Sequence, residues 1–109
     1  MYVRIARFEG GDPAKLDEMM AEMRRQIEGA RAGLPDDAPE GVRVLTETVT
    51  RIIELVDRQT GGVVGLTFCA TEEDMRRANE ALDGMSPPDD GGMRRTGVEI
   101  YEVALDEAL

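Results

Sequence analysis

The chain has no histidine and no tryptophan, and its only cysteine is Cys69. Without histidine there is no imidazole to serve as general base, to ligate zinc or to hold a haem iron. Ser-His-Asp and Cys-His nucleophile pairs are excluded on the same ground. A lone cysteine cannot close a disulfide within the chain or build a thiolate metal site, so no metal and no cofactor is expected. No apolar run approaches the roughly 20 residues that a membrane-spanning helix needs. The start, MYVRIARFEG, lacks a charged segment followed by an apolar block. It reads as a strand rather than a signal peptide, and the default expectation is a cytoplasmic protein.

Positive charge is also scarce: 13 Lys and Arg stand against 23 Asp and Glu, a net charge of −10. A nucleic-acid binder needs a basic footprint to displace counterions, and this chain repels a phosphate backbone or an anionic membrane surface. The pairs Arg24-Arg25, Arg76-Arg77 and Arg94-Arg95 lie near acids and fit solvated faces rather than a basic patch.

What is present is enough for one domain: 109 residues, 41% of them hydrophobic. In YVRIARF the side chains of Tyr2, Arg4, Ala6 and Phe8 point one way and Val3, Ile5 and Arg7 the other, so both faces of this strand are largely apolar. GDPAKLDEMMAEMRRQIEGARAG predicts a helix with Asp12 as N-cap, Pro13 at its first position and Gly33 at its end. Its stripe of Leu16, Met19, Met20, Met23 and Ile27 covers a single neighbour, with the methionines as adaptable filler. LPDDAPEGVRVLTET, residues 34–48, reads as a surface loop with one hydrophobic plug, in which Val42, Val44 and Leu45 make either a single helical turn or an extended lead-in, its length also suiting a lid.

TVTRIIELVDRQTGGVVGLTFCA is a hairpin turning at RQTGG. No helix follows those glycines at once and no Walker lysine is present, so they make a turn and not a phosphate cradle. TEEDMRRANEALDGM is a second helix, capped by Thr71, acidic in its first turn and ended by Gly84. Met75, Ala78, Leu82 and Met85 form its apolar stripe, with Asn79 at the edge. A loop, SPPDDGGMRR, a last strand, TGVEIYEVAL, and a frayed tail complete the chain.

The order strand, helix, strand, strand, helix, strand predicts an α+β ferredoxin-like βαββαβ domain spanning residues 1–109. Its four-stranded antiparallel sheet has the order 4-1-3-2, with two helices on one face. The other face needs a cover, because strands one, two and four carry apolar residues on both sides: Val3 and Ile5 against Ala6 and Phe8, Ile53 and Leu55 against Ile52 and Val56, Val98 and Ile100 against Tyr101 and Val103. The economical cover is the same face of a second copy, giving a homodimer.

In YVRIARFEG, the helix to Ala32, VTRIIELVDRQTGGVVGLTFCA, TEEDMRRANEALDGM and TGVEIYEVAL, the chain resembles the dimeric α/β-barrel superfamily that includes antibiotic-biosynthesis-monooxygenase-like domains. The resemblance spans nearly the whole chain and implies two paired sheets with a small organic molecule bound between sheet and helices. Enzymes of that group lean on Asn, Trp and His. Here only Asn79 answers to those types, so no catalytic residue is carried over.

A register that sets Ile5 opposite Ile100 places Arg4 opposite Tyr101 with Glu99 diagonal to it. A four-residue turn sets Glu54 opposite Gly65 and Ile52 opposite Thr67. On that register Arg4, Glu54, Thr67, Glu99 and Tyr101 share the uncovered face with Cys69, and these five are the candidate pocket residues. A slip of one residue inverts the assignment. Arg4 then either joins an ion pair with Glu99 or Glu54 or holds a polar or anionic ligand. Cys69 reads as a small buried hydrophobe. The function expected is a small-molecule-binding dimer, in the manner of a cofactor-independent monooxygenase or an isomerase; the alternative is a non-catalytic structural or regulatory dimerisation module.

Overall fold

The computed structural model describes residues 1–85 and 93–109. Their elements run β1 (Tyr2–Glu9), a 3-10 turn (Pro13–Lys15), α1 (Leu16–Ala32), α2 (Glu40–Thr48), β2 (Val49–Val56), β3 (Val63–Cys69), α3 (Glu72–Asp83) and β4 (Arg94–Glu102). The strands form one sheet in the order β2-β3-β1-β4 with every neighbouring pair antiparallel, which is the expected order read from the other edge. β1 and β2 are parallel to each other, as are β3 and β4, so right-handed crossovers place α1 and α3 on the same face. The chain is a ferredoxin-like α+β domain.

Local chemistry accounts for the element ends. The Asp12 carboxylate accepts from the Ala14 N–H at 2.9 Å, but it caps the 3-10 turn, and α1 begins three residues later than a cap at Asp12 would suggest. Gly33 closes α1 at φ 139, a conformation that side chains disfavour. Thr71 accepts from the Asp74 N–H at 3.1 Å and opens α3. Between β2 and β3, Asp57 accepts from the N–H groups of Gln59 and Thr60, and Gly61 takes φ 81. Gly61 also touches Gly11 backbone to backbone: a Cβ on Gly61 would lie 2.0 Å from the Gly11 carbonyl oxygen.

The loop expected over residues 34–48 is not wholly a loop, since its second half is α2. Pro39 starts the helix, its carbonyl accepting from Val42 and Arg43. Arg43 turns back to donate to the Pro35 and Asp36 backbone carbonyls, both at 2.8 Å, which ties the lead-in to the helix. Gly41 lets α2 close on the end of α3, where a Cβ would meet the Met85 methyl at 3.2 Å. Glu47 pairs with Arg77 of α3 at 2.7 Å. A hydrophobic plug thus became a helix by packing against a neighbour that is remote in sequence. The loop expected over residues 86–95 lies mostly outside the described residues, and its last two arginines already belong to β4.

The β1–β4 register is one residue off the expected one: Arg4 pairs with Ile100, Ile5 with Glu99 and Val3 with Tyr101. A bulge between Arg7 and Phe8 takes up an extra residue further along. Register divides the sheet into two faces. On one lie Tyr2, Arg4, Ala6 and Phe8 with Cys69, Thr67, Gly65, Ile52, Glu54, Val98 and Ile100; on the other lie Val3, Ile5 and Arg7 with Leu66, Phe68, Ile53, Leu55, Glu99 and Tyr101. The first is the helix-covered face, because its Cys69 forms the core with Met75 and Ala78 of α3, flanked by Tyr2, Leu45 and Val49. α1 is held less deeply. Only its Leu16 is fully buried, while Met19, Met20, Met23 and Ile27 are half-buried.

Candidate functional site

The five candidate pocket residues do not share one face. Arg4, Glu54 and Thr67 are on the covered face, and Glu99 and Tyr101 on the open one. The hairpin partners are as expected, Glu54 opposite Gly65 and Ile52 opposite Thr67. The side on which they lie is not.

Arg4 is 4% exposed, and two of its three guanidinium nitrogens are engaged. Its Nε donates to Asn79 Oδ1 at 2.9 Å and its Nη2 to Asp83 Oδ1 at 3.1 Å; Arg95 Nη1 reaches the same carboxylate oxygen at 3.2 Å. Burial lowers the Arg4 pKa from its ordinary value, and Asp83 opposes that shift. Asn79 and Asp83 are one helical turn apart on α3, so both meet the strand beneath. Asn79 stood out in the sequence at the stripe edge; Asp83 carried no signal beyond its spacing from it.

Glu54 has the opposite setting. Its carboxylate lies flat over Gly65, where a Cβ would sit 3.1 Å from Oε1 and 3.2 Å from Oε2. Its neighbours on this face are Ile52, Val56 and Ala6. It forms no ion pair or hydrogen bond among the described residues. Burial pushes its pKa from 4.5 up to about 7, with no cation to offset it. Ile52, beside it on β2, is 41% exposed, and Ile100 on the other edge strand is 43% exposed, so the helices leave both margins of this face partly uncovered. Thr67 lies between Ile52 and Arg4.

On the open face Arg7 Nε donates to Glu99 Oε1 at 3.3 Å, and the Tyr101 hydroxyl donates to Glu99 Oε2. The Tyr101 hydrogen bond, then Arg7, holds the Glu99 carboxyl below its ordinary pKa. Around this wet cluster the surface is apolar: Val3, Ile5, Ile53, Leu66 and Phe68 are half-buried, Leu55 is 49% exposed and Tyr101 51%. At one end Arg51, Ile53, Phe68, Val103 and Leu105 line a shallow groove of about 470 Å3. Cys69 is fully buried, and burial raises its thiol pKa, so it is a core residue and not a reactive thiol. Among the described residues no cluster of acids and Cys69 is arranged to hold a metal ion, and no helix is long and apolar enough to cross a membrane.

No family model matches the chain, and no curated protein does. Solved structures are similar in fold. An arginine-to-serine mutant of MhuD with two manganese protoporphyrin IX molecules bound per active site superposes with a TM-score of 0.58 at 13% identity, over 99% of this chain and 99% of that one. A dimeric ferredoxin-like protein from an uncultured marine organism superposes with a TM-score of 0.55 at 6% identity, over 97% and 98%.

Proposed function

We propose a two-fold dimer with the sheets face to face, each protomer binding a small organic molecule between its own sheet and helices, a reading supported by the ferredoxin-like fold that the chain shares with those two solved structures. Self-association is supported by the open face. An apolar surface on the order of a few hundred Å2 that its own helices do not cover marks an interaction site, and the same face of a second copy is the complementary cover.

Ligand binding is supported by one observation above the others: the Glu54 carboxyl, laid over Gly65 within the covered face and without a partner among the described residues. A half-buried carboxyl that no group of the chain hydrogen-bonds gains by taking a partner from outside. Burial raises the Glu54 carboxyl to about 7, so near neutral pH it is poised to give up its proton when a partner of opposite charge approaches. The porphyrin bound by MhuD is not carried over, since the chain offers no imidazole and Cys69 is sealed in the core.

One observation favours a dimerisation module with no ligand: Arg4, the most deeply buried charge, is satisfied by Asn79 and Asp83. Native mass spectrometry and sedimentation separate the two. The expected particle is twice 12.0 kDa, reduced to one protomer by Leu66→Glu at the centre of the open face. The dimer is expected to carry a co-purifying mass increment that Glu54→Leu removes. A monomer at micromolar concentration overturns the assembly. A bare dimer that takes up no organic compound favours the module.

A further inference from the structure

Resting on that reading, we infer that the ligand is an apolar molecule carrying a single cationic amine, for which Glu54 is the counter-charge. The disposition of the protein's own cations carries this. Arg4 is spent on Asn79 and Asp83. Arg58, at the turn that follows β2, pairs with Asp17 of α1 at 2.9 Å. Arg7 and Arg51 lie on rows of the opposite face. Lys15, just before α1, and the charged residues of α1 beyond its first turn, Glu22, Arg24, Arg25, Glu28 and Arg31, are exposed to solvent. Thr67 and Cys69 of β3 bring no charge. No positive group among the described residues pairs with the Glu54 carboxylate, so the chain itself supplies no counter-ion for it.

The covered face suits an apolar body bearing that cation. Ile52 and Val56 flank Glu54 along its own strand on this face, and Gly65 and then Ala6 follow it across the sheet. The half-buried methionines of α1 are unbranched and polarizable, and they adapt their shape to a guest. A protein of net charge −10 draws cations toward its surface and repels anions. An ammonium brought beside Glu54 replaces the proton that burial otherwise imposes, and the two charges compensate each other.

The test uses octylamine, octanol and octanoate, which share one chain length and differ in the head group. Binding is followed by 13C-methyl NMR of the methionines in the intact protein. Octylamine is expected to bind about tenfold more tightly than octanol, consistent with the cost of leaving a buried charge unpaired, and to lose that preference in Glu54→Gln. Its affinity is expected to rise as pH passes upward through about 7, where the carboxyl ionises ahead of binding. The comparison of probes on the unmodified protein stands even if a variant misfolds. If octanol or octanoate binds as tightly as octylamine, the amine inference fails and the small-molecule reading survives. If none of the three moves a methionine methyl, the small-molecule reading fails too.

Discussion

Arg4 on β1 and Glu54 on β2 occupy the same covered face with β3 between them, and the protein treats them in opposite ways. Under the C-terminal end of α3, Arg4 is enclosed and paired, its guanidinium bound to Asn79 and to an Asp83 that also serves Arg95. On the β2 side, Glu54 is half-buried and no other described residue is bound to it. A buried charge with all its partners inside the fold is part of the architecture. A charge placed in the same layer without them points to something outside the chain.

The largest effect expected comes from breaking the satisfied side. Asp83→Ala strands Arg4 with Asn79 alone and should cost about 2–3 kcal/mol in chemical denaturation, toward the low end because the Asp83 side chain is 49% exposed. Arg4→Met removes the charge together with its need for a partner and should stay within about 1 kcal/mol of the parent. Equal losses in the two variants would erase the contrast.

The next effect sharpens the unsatisfied side. The unfolded chain ionises Glu54 near 4.5 and the folded chain near 7. Between those values the folded state holds the extra proton, so stability falls as pH rises and levels off above about 7. Glu54→Gln removes that loss. It should gain about 1–2 kcal/mol over the parent above pH 7, after allowance for partial solvent screening, and almost nothing near pH 4. A gain independent of pH would show that the carboxyl is not the cause.

The smallest effect concerns the seat. Gly65→Ala places a methyl against the Glu54 oxygens and should cost about 1 kcal/mol, most of it recovered in a Glu54→Ala background. A cost unchanged in the double variant would mean that glycine is there for some other reason.

Much of this was legible in the sequence. Thr71 and the glycine-rich turn marked their elements, and the hairpin pairing of Glu54 with Gly65 followed from turn length alone. The face on which Arg4 lies was not legible, because β1 and β4 are apolar on both sides. A strand without alternation carries no parity, so the inward side of YVRIARF is decided by contacts with α3, 75 and 79 residues away in sequence. The full extent of α2, of which a single turn at Val42, Val44 and Leu45 was one of two readings, was not legible for a similar reason. Its lead-in is rich in proline and acid, and its helical state depends on Gly41 packing against Met85 and on Glu47 meeting Arg77. The isolation of Glu54 was invisible, since a carboxylate with no partner leaves no mark in one dimension.

The touching backbones of Gly11 and Gly61, together with the bridge from Asp17 to Arg58, fasten the front of α1 to the hairpin tip. Beyond Leu16 the helix is only half sunk. A rod riveted at one end and loosely bedded along its length resists sliding but yields to swinging. Its backbone amides should trade hydrogen for deuterium in a gradient, slowest beside Leu16 and fastest near Ala32. A guest would then enter beneath the free end, leaving the pivot undisturbed.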